Sequence, residues 1–325
     1  MLSASFLQLQ TAVYEWSKEC PPDAKNALAT FFLSTEFLDR PNVFHYGYDE
    51  SQTKWVALIE MQGVEKTRVM ITQQFGYDFK SLYASSSTFT KIEMAPRMAK
   101  SSAYNKFIKA IQKLNNQMKA LRRLIGYQKT LDEATDMVHA THASPLRFIS
   151  VDIESYEQDH ALILEIGWST WDTGLNKFAD RHFAVLDYKH LSNGRYVRDR
   201  RDRFSFGDTT WASLKDCITA FQEDLELAAH QNAQGTVVLI AHDMTSDEAY
   251  LRRMGVDFPP GMIKFDTIEM NSARVNDSLI KTGLGKLLDE VGIENYSLHN
   301  AGNDAHYTLE LFLWLCRDHA SKRNV

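Results

Sequence analysis

The sequence predicts an α/β protein, a mixed sheet flanked by helices, preceded by a smaller α+β region. Three observations carry that expectation. Three successive strand-like runs, Phe148–Ile153, Leu162–Trp171 and Phe178–Leu186, are spaced as a meander. A helical stretch, Thr210–His230, then leads to Thr236–Ala241, a short continuously apolar run typical of a strand buried on both faces. Further helical stretches follow around Ser246–Met254, Leu284–Val291 and Asn303–Asp318, with Lys264–Thr267 between them as a short strand closing the sheet.

The region before Phe148 reads differently. Leu2, Phe6, Leu9, Val13 and Trp16 recur at helical spacing and predict an amphipathic helix, separated by Pro21-Pro22 from a second helical stretch. NVFHYGY, KWVALIEM and RVMITQQF predict strands, with the turn formers DESQT between the first two, and SLYASSSTFTK predicts a loop. Phe107, Ile111, Leu114, Met118, Leu121 and Ile125 repeat at steps of four and three, an apolar stripe expected to pack on the rest of the protein. The same helix, near 104–125, is basic: from Met94 to Leu131 there are nine Lys and Arg and no acidic residue. Its charged face suits nucleic-acid phosphates or simply solvent. THASPLR reads as a connector, dividing an N-terminal extension (1–146) from a C-terminal domain (147–325). Along the helix that follows the meander, Leu214, Ile218, Phe221 and Leu225 form the inner face.

Composition narrows the function classes. An apolar fraction of 44% over 325 residues suits one large or two ordinary globular domains. Cys20, Cys217 and Cys316 stand far apart without a CxxC pair, which argues against a disulfide framework or zinc site and for a reducing compartment. The first residues lack a basic segment followed by a long apolar run, and no stretch approaches bilayer-spanning length. A cytoplasmic or nuclear protein, neither secreted nor membrane-bound, is expected. Charge is divided unevenly: residues 1–146 carry 17 basic against 14 acidic groups, residues 147–325 carry 19 against 28. A carboxylate cluster that holds divalent cations accounts for part of that acidity, and a solvated acidic surface for the rest.

The chemistry lies in that acidic half. In FISVDIES, strand alternation points Asp152 and Glu154 the same way, with Ile153 behind them. Two carboxylates on one face of a core strand are costly unless a cation lies between them, and Mg²⁺ or Mn²⁺ suits their oxygen atoms. The buried strand TVVLIA runs into HDMTSDEAYL and places Asp247 in the first turn of the next helix, where an acid also favours helix initiation. Asp266, after the short strand, is expected to fix local backbone. His299 falls in the polar loop HNAGN and Asp304 opens the last helix. A histidine on a loop beside metal-bound carboxylates can take a proton from an attacking water.

In their order and on these elements, Asp152, Glu154, Asp247, His299 and Asp304 resemble the DEDD superfamily of 3′–5′ exonucleases, in its histidine subtype, over about residues 147–318. RHFAVLDYKHLSNGRYVRDRRDRFSFGDTTW is similar to a fungal branch named "good for full DEAD-box protein activity", linked to messenger RNA export and related to RNA-silencing exonucleases. The resemblance implies a ribonuclease-H-like domain hydrolysing RNA or single-stranded DNA. Asp152, Glu154, Asp247 and Asp304 would hold two divalent cations, Mg²⁺ or Mn²⁺, and His299 would be the general base. Ser155, Tyr156, His242, Asn300, Arg195, Arg198 and Arg201 are candidate substrate contacts. The family's pattern has Asn after the histidine of the second motif; here the pair is His242-Asp243, and the extra carboxylate either repels substrate phosphate or points away. The arginines of GRYVRDRRDRF either grip phosphates or pair with the interleaved Asp199 and Asp202, and Phe204 and Phe206 either stack on bases or anchor the loop. A second function is open at this point: a catalytically weak exonuclease fold serving as an adaptor in RNA export or silencing, binding RNA or RNA-processing proteins through the basic helix.

Overall fold

The computed structural model describes residues 5–40, 43–140, 146–232 and 236–323, and its contacts divide the chain into two compact units, Met1–Leu121 and Arg122–Val325. In the first unit β1 (Phe6–Gln8) leads directly into α1 (Leu9–Glu19), followed by α2 (Lys25–Phe31) and α3 (Thr35–Leu38). Phe6 is paired with Glu60 in a sheet rather than lying on the expected helix, which begins later with Leu9, Ala12 and Trp16 buried. Leu2 lies outside the described residues. β2 (Phe44–Asp49) and β3 (Lys54–Glu60) form a hairpin whose turn is closed by Asp49, the acceptor of the Ser51 and Gln52 N–H groups.

RVMITQQF is not a strand. It forms part of α4 (Met61–Phe75), in which Val64, Thr67 and Ile71 are buried at helical spacing and Gly76 ends the helix at φ 72. A short apolar run such as Val69-Met70-Ile71 fits either period, and the burial pattern of the whole segment decides for helix. β4 (Phe89–Met94) takes the last residues of the predicted loop and completes a sheet ordered β1-β3-β2-β4. α5 (Ser101–His139) is continuous over 39 residues. Phe107 and Ile111 lie in the core of the first unit, but Leu121 and Ile125 are 52% and 61% exposed, so the stripe is not packed along its full length. Farther along, Leu131 and Ala134 enter a core of the second unit. Residues 141–145 of the predicted connector lie outside the described residues.

The second unit is a mixed sheet flanked by helices. β5 (Arg147–Tyr156), β6 (Asp159–Asp172) and β7 (Lys177–Val185) form the antiparallel meander, and β8 (Thr209–Ala212) adds parallel to β7. The predicted helix thus starts later than Thr210: α6 (Leu214–Gln231) is capped by Ser213, whose Oγ accepts the Asp216 N–H. β9 (Val238–Ala241) pairs parallel to β5, α7 (Met244–Met254) follows, and β10 (Ile263–Asp266) pairs parallel to β9, giving the order β10-β9-β5-β6-β7-β8. α8 (Thr267–Arg274), α9 (Leu284–Val291) and α10 (Ala301–Arg323) complete the unit. α10 packs with Phe148, Val238 and Phe265 on one side of the sheet; α6 packs with Ile149, Val151 and Trp168 on the other. All three cysteines are buried and free, and among the described residues no helix is long and apolar enough to cross a membrane.

Candidate active site

Alternation along β5 sorts its side chains. Phe148 joins the α10-side core, while Ile149, Val151 and Ile153 join the α6-side core. Asp152 and Glu154 occupy the alternate positions and so share the α10 side, facing Gly167 and Glu165 across the ladder. Asp304 arrives from the first turn of α10, and Asp247 from the first turn of α7, where its carboxylate accepts the Ile153 N–H. Gly167 is what lets α10 come so near: a Cβ there would stand inside 3.0 Å of the Ala301 and Gly302 backbone. Gly302 is equally confined, since its own Cβ would lie 2.7 Å from His182 and Phe204.

His299 sits in the loop before α10 at φ 64, a conformation uncommon outside glycine. Its N–H donates to Asp304 Oδ2 at 2.9 Å, and its Nδ1 stands 3.8 Å from Glu154 Oε1. Glu154, His299 and Asp304 each offer an atom to a group that spans no more than 4.8 Å, a candidate cation site. The loop is braced from both sides of His299. Arg200 Nη1 donates to the Leu298 carbonyl at 2.7 Å, and Asn300 Nδ2 donates to the Arg200 carbonyl at 2.9 Å. Asn303 fixes the next turn, donating to the Arg203 and Ser297 carbonyls and accepting the Ser205 N–H. Phe206 stacks on His306 at 3.5 Å between ring centres, so the aromatics of this segment anchor the loop.

The electrostatics are those of a centre short of positive charge. Asp152, Asp247 and Asp304 all hold their protons well above the usual carboxylate range, first because they are buried. Neighbouring charge adds to that: Asp304, Asp247 and Glu154 act on Asp152, Asp243 and Asp266 on Asp247, and Glu154 on Asp304. Burial, followed by Glu165, pushes Glu154 up to about 8. Asp152 Oδ2 and Asp304 Oδ1 are buried without any hydrogen-bond partner. Orphaned acceptors of this kind are rare and costly, and a hard cation is the partner their chemistry calls for. His299 is shifted down, by burial and then by the Arg200 charge, which keeps its imidazole neutral and able to accept a proton.

Beneath the centre lies a buried acid–histidine pair that sequence inspection passes over. Glu165 Oε2 and His182 Nε2 are 2.7 Å apart, with burial pushing the acid up to about 8 and the histidine down to about 4. Thr209 donates its hydroxyl to the Arg201 carbonyl and therefore accepts from His182 Nδ1, which leaves Nε2 to accept the Glu165 proton. Glu165 also accepts the Ala301 N–H at 3.3 Å, tying the pair to the start of α10.

The predicted substrate contacts divide. Ser155 is partly exposed, its Oγ 2.9 Å from His160 Nδ1; Tyr156 is half-buried at the end of β5. Arg195 and Arg198 are exposed, with Arg195 lying over the Tyr196 ring. Three others turn inward. Arg201 is 5% exposed, and its guanidinium is taken up by Asp199 and the Tyr188 and Leu191 carbonyls. Asn300 is fully buried and caps α10 by accepting the Asn303 N–H. His242 is held between Thr267 Oγ1 and the Thr282 carbonyl. Asp266 accepts the Asp243, Met244 and Ile268 N–H groups, the backbone-fixing role expected of it. Asp243 itself stands at φ 79, a left-handed position that Asn and Asp tolerate best, and its carboxylate raises the pKa of Asp247. Gly167, Glu165 and His182 were missed by motif, and Arg200 was read only as one of the arginine run. Only Gly167 carried a signal, since a glycine inside a strand often marks a close backbone approach.

Comparison with known proteins finds similarity over about half of the chain. An uncharacterized nucleolar protein of Schizosaccharomyces pombe is 28% identical over 55% of this chain and 72% of its own length. "Good for full DBP5 activity protein 2" of Saccharomyces cerevisiae is 27% identical over 51% of this chain, and an uncharacterized protein of the same yeast is 26% identical over 51%. The chain spans only 34% and 40% of those two relatives. Among solved structures, S. pombe Pop2p in its Mg²⁺ and Mn²⁺ bound form is 14% identical, with a TM-score of 0.32 over 58% of this chain and 88% of that one. Residues 147–315 match the family model DEDDh_C, described as "DNA polymerase III subunit epsilon-like, C-terminal domain", and by that match over half its length the chain belongs to the DEDDh_C family.

Proposed function

We propose that the chain is a divalent-metal-dependent 3′–5′ exonuclease acting on RNA or single-stranded DNA, with residues 147–325 as its catalytic domain. The observation that carries this is the gathering of Asp152, Glu154, Asp247 and Asp304 beside His299, with two of their carboxylate oxygens buried and unpartnered. The donor set fits a pair of Mg²⁺ or Mn²⁺ ions, held by these four carboxylates. Bound there, the cations supply neutralisation of phosphate charge and a lowered water pKa. His299 accepts the proton of the attacking water through its free ring nitrogen, a contribution of about 10² to 10⁴ in rate. Arg200 and Asn300 hold the loop that presents it. Arg195 and Arg198, exposed on the neighbouring segment, are available to substrate phosphates. A nuclear or cytoplasmic location accords with the nucleolar designation of one relative.

A second function is favoured by one feature. Asp243 adds repulsion next to Asp247, which suits a weakly active adaptor, and a relative named for supporting a DBP5 activity points the same way. The two are separated by incubating a 5′-labelled single-stranded RNA or DNA with Mg²⁺ or Mn²⁺. The enzyme produces a ladder shortened from the 3′ end, abolished in Asp247→Ala and reduced at least about 10²-fold in His299→Ala. Wild type as inert as Asp247→Ala in both metals would leave only the adaptor.

A further inference from the structure

The segment between β7 and β8 is pinned at two places that flank the carboxylate centre. At one of them Asn193 Nδ2 donates to the Ser155 carbonyl at 3.0 Å, and Asn193 Oδ1 accepts the Glu157 N–H at 2.9 Å. Ser155 directly follows Glu154 on β5. At the other, Arg200 is bonded to Leu298 and Asn300, on either side of His299. Glu154 and His299 stand 3.8 Å apart, so residues 193–200 run as one rim of the centre. That rim is stiff. The Glu157 carboxylate accepts the Arg195 N–H at 2.8 Å and the Tyr196 N–H at 3.0 Å, and those of Gly194 and Val197 act on it as well. A carboxylate seated among consecutive N–H groups fixes the backbone that supplies them.

On this fixed backbone an aromatic ring stands in solvent. Tyr196 is 73% exposed, and the Arg195 guanidinium lies over its ring at 5.2 Å. An exposed ring needs no explanation by itself, but this one is presented by a pinned loop between two cations. Arg195 and Arg198 are both exposed, and among the described residues neither meets a carboxylate; Asp199, the acid of the segment, is taken up by Arg201. The other side of β5 has the opposite sign. There, after β9 and β10, come Asp243 and Asp266, close enough to raise the Asp247 pKa. A phosphate backbone leaving the centre is therefore drawn toward the 193–200 rim. From Glu154 to Glu157 is roughly 10 Å of strand, which brings Tyr196 to the last few nucleotides.

We propose that Tyr196 is a stacking platform for an unpaired base near the 3′ end of a nucleic-acid strand, with Arg195 and Arg198 on the adjoining phosphates. The inference rests on the proposed nuclease reading, which puts the 3′ end at the carboxylates. Every base offers a π-face, so the platform selects single strands without selecting sequence. A base inside a duplex has both faces covered by its neighbours and cannot use the ring.

Fluorescence anisotropy with the full chain, in EDTA and again in Ca²⁺, measures binding apart from cleavage. The probes are a 5′-labelled ten-nucleotide RNA, the same strand in a blunt duplex, and versions with one abasic residue at each of the four 3′-terminal positions. Wild type should bind the single strand at least tenfold more tightly than the duplex. Tyr196→Ala should lose at least about fivefold on the single strand, with its thermal transition unchanged because the ring is largely in solvent, whereas Tyr196→Trp should keep wild-type affinity. At one position the abasic probe should bring wild type down to the level of Tyr196→Ala and leave that variant unaffected. Tyr83→Ala, which removes an equally exposed ring of the first unit, should bind as wild type does. The proposal is overturned if Tyr196→Ala binds as wild type in both conditions, if the duplex binds as tightly as the single strand, or if each abasic probe weakens the two proteins equally. The nuclease reading fails separately: the expected binding pattern without shortening of the strand in Mn²⁺ keeps the platform and removes the enzyme, and shortening without the pattern does the reverse.

Discussion

Replacing Gly167 by alanine tests whether the fit between β6 and α10 sets the geometry of the carboxylate centre. Gly167 faces Asp152 in the β5–β6 ladder, so the added methyl enters the space between the sheet and the first turn of α10. It would stand inside 3.0 Å of the Ala301 and Gly302 backbone, whereas ordinary contact begins at 3.4 Å. Neither neighbour can yield as a flexible side chain would, so the start of α10 must retreat, carrying Asp304 with it by roughly 1 Å, a displacement that typically costs about 10² in rate. Overpacking of this kind costs about 1–3 kcal/mol, or roughly 2–12 °C in Tm for a unit of this size. Gly194, where an added Cβ meets nothing within 4 Å, supplies the control. Thermal unfolding and calorimetric Mn²⁺ titration of wild type, Gly167→Ala and Gly194→Ala should show both losses in the first variant and neither in the second. A Gly167→Ala chain with lowered Tm but wild-type Mn²⁺ affinity would mean that Asp304 is not a ligand. A variant unchanged in both would refute the packing argument itself.

Arg200→Met should lower kcat of the proposed cleavage about 10- to 100-fold, as loss of an outer supporting group does, with KM and Mn²⁺ affinity held; a rise in KM at constant kcat would instead make Arg200 a phosphate contact. Asp152→Asn should raise the thermal stability of the metal-free chain while abolishing Mn²⁺ binding, and equal or lower stability would contradict the cost assigned to burying its carboxyl group. The acids of the centre have folded pKa values raised above their unfolded values, so the native state binds the extra protons. Metal-free stability should therefore fall as pH rises from the ordinary carboxylate range toward 8, where Glu154 and Glu165 ionise, and Mn²⁺ should stabilise most at the alkaline end. Melts across that range with EDTA or Mn²⁺ check the sign. Arg201→Met, which strands Asp199 in a half-buried site, should cost about 3–5 kcal/mol, whereas Arg198→Met at an exposed position should stay within about 0.5 kcal/mol; denaturant titration distinguishes them.

What could be read from the sequence was what local periodicity encodes. β5 alternates cleanly, so the shared face of Asp152 and Glu154 followed from a period of two, and the run TVVLIA announced the strand that delivers α7. Periodicity failed where two elements abut. Phe6 continued the helical spacing of α1 but is held by Glu60, and Thr210 to Ala212 joined a helical pattern although they pair with β7. Ser213 followed by Asp216 was the local stop signal there, because a serine cap marks the first residue of the helix. Exposure of Leu121 and Ile125 was beyond reach, since a stripe says which face is apolar and not how far its partner extends. The arginine run shows the same limit. Five similar side chains within nine residues turn out to be a buried anchor at Arg201, a loop brace at Arg200 and exposed groups at Arg195, Arg198 and Arg203. Only the fold separates them.

The carboxylate centre is not explained by the stability of the chain that carries it. Four acids held above their ordinary pKa values, two of their oxygens without partners, and a histidine at positive φ each oppose folding of the bare protein. They persist because the surroundings over-determine them: the β5–β6 register fixes Asp152 and Glu154, Gly167 and Gly302 seat α10, and Arg200, Asn300 and Asn303 lock the intervening loop. Glu165 and His182 show the contrasting solution in the same neighbourhood. There a buried acid is satisfied by a histidine within the fold, at the cost of any capacity to bind something else. The centre above it has been left without such a partner, and the vacancy in its hydrogen bonding is the chemical reason to assign it a cation.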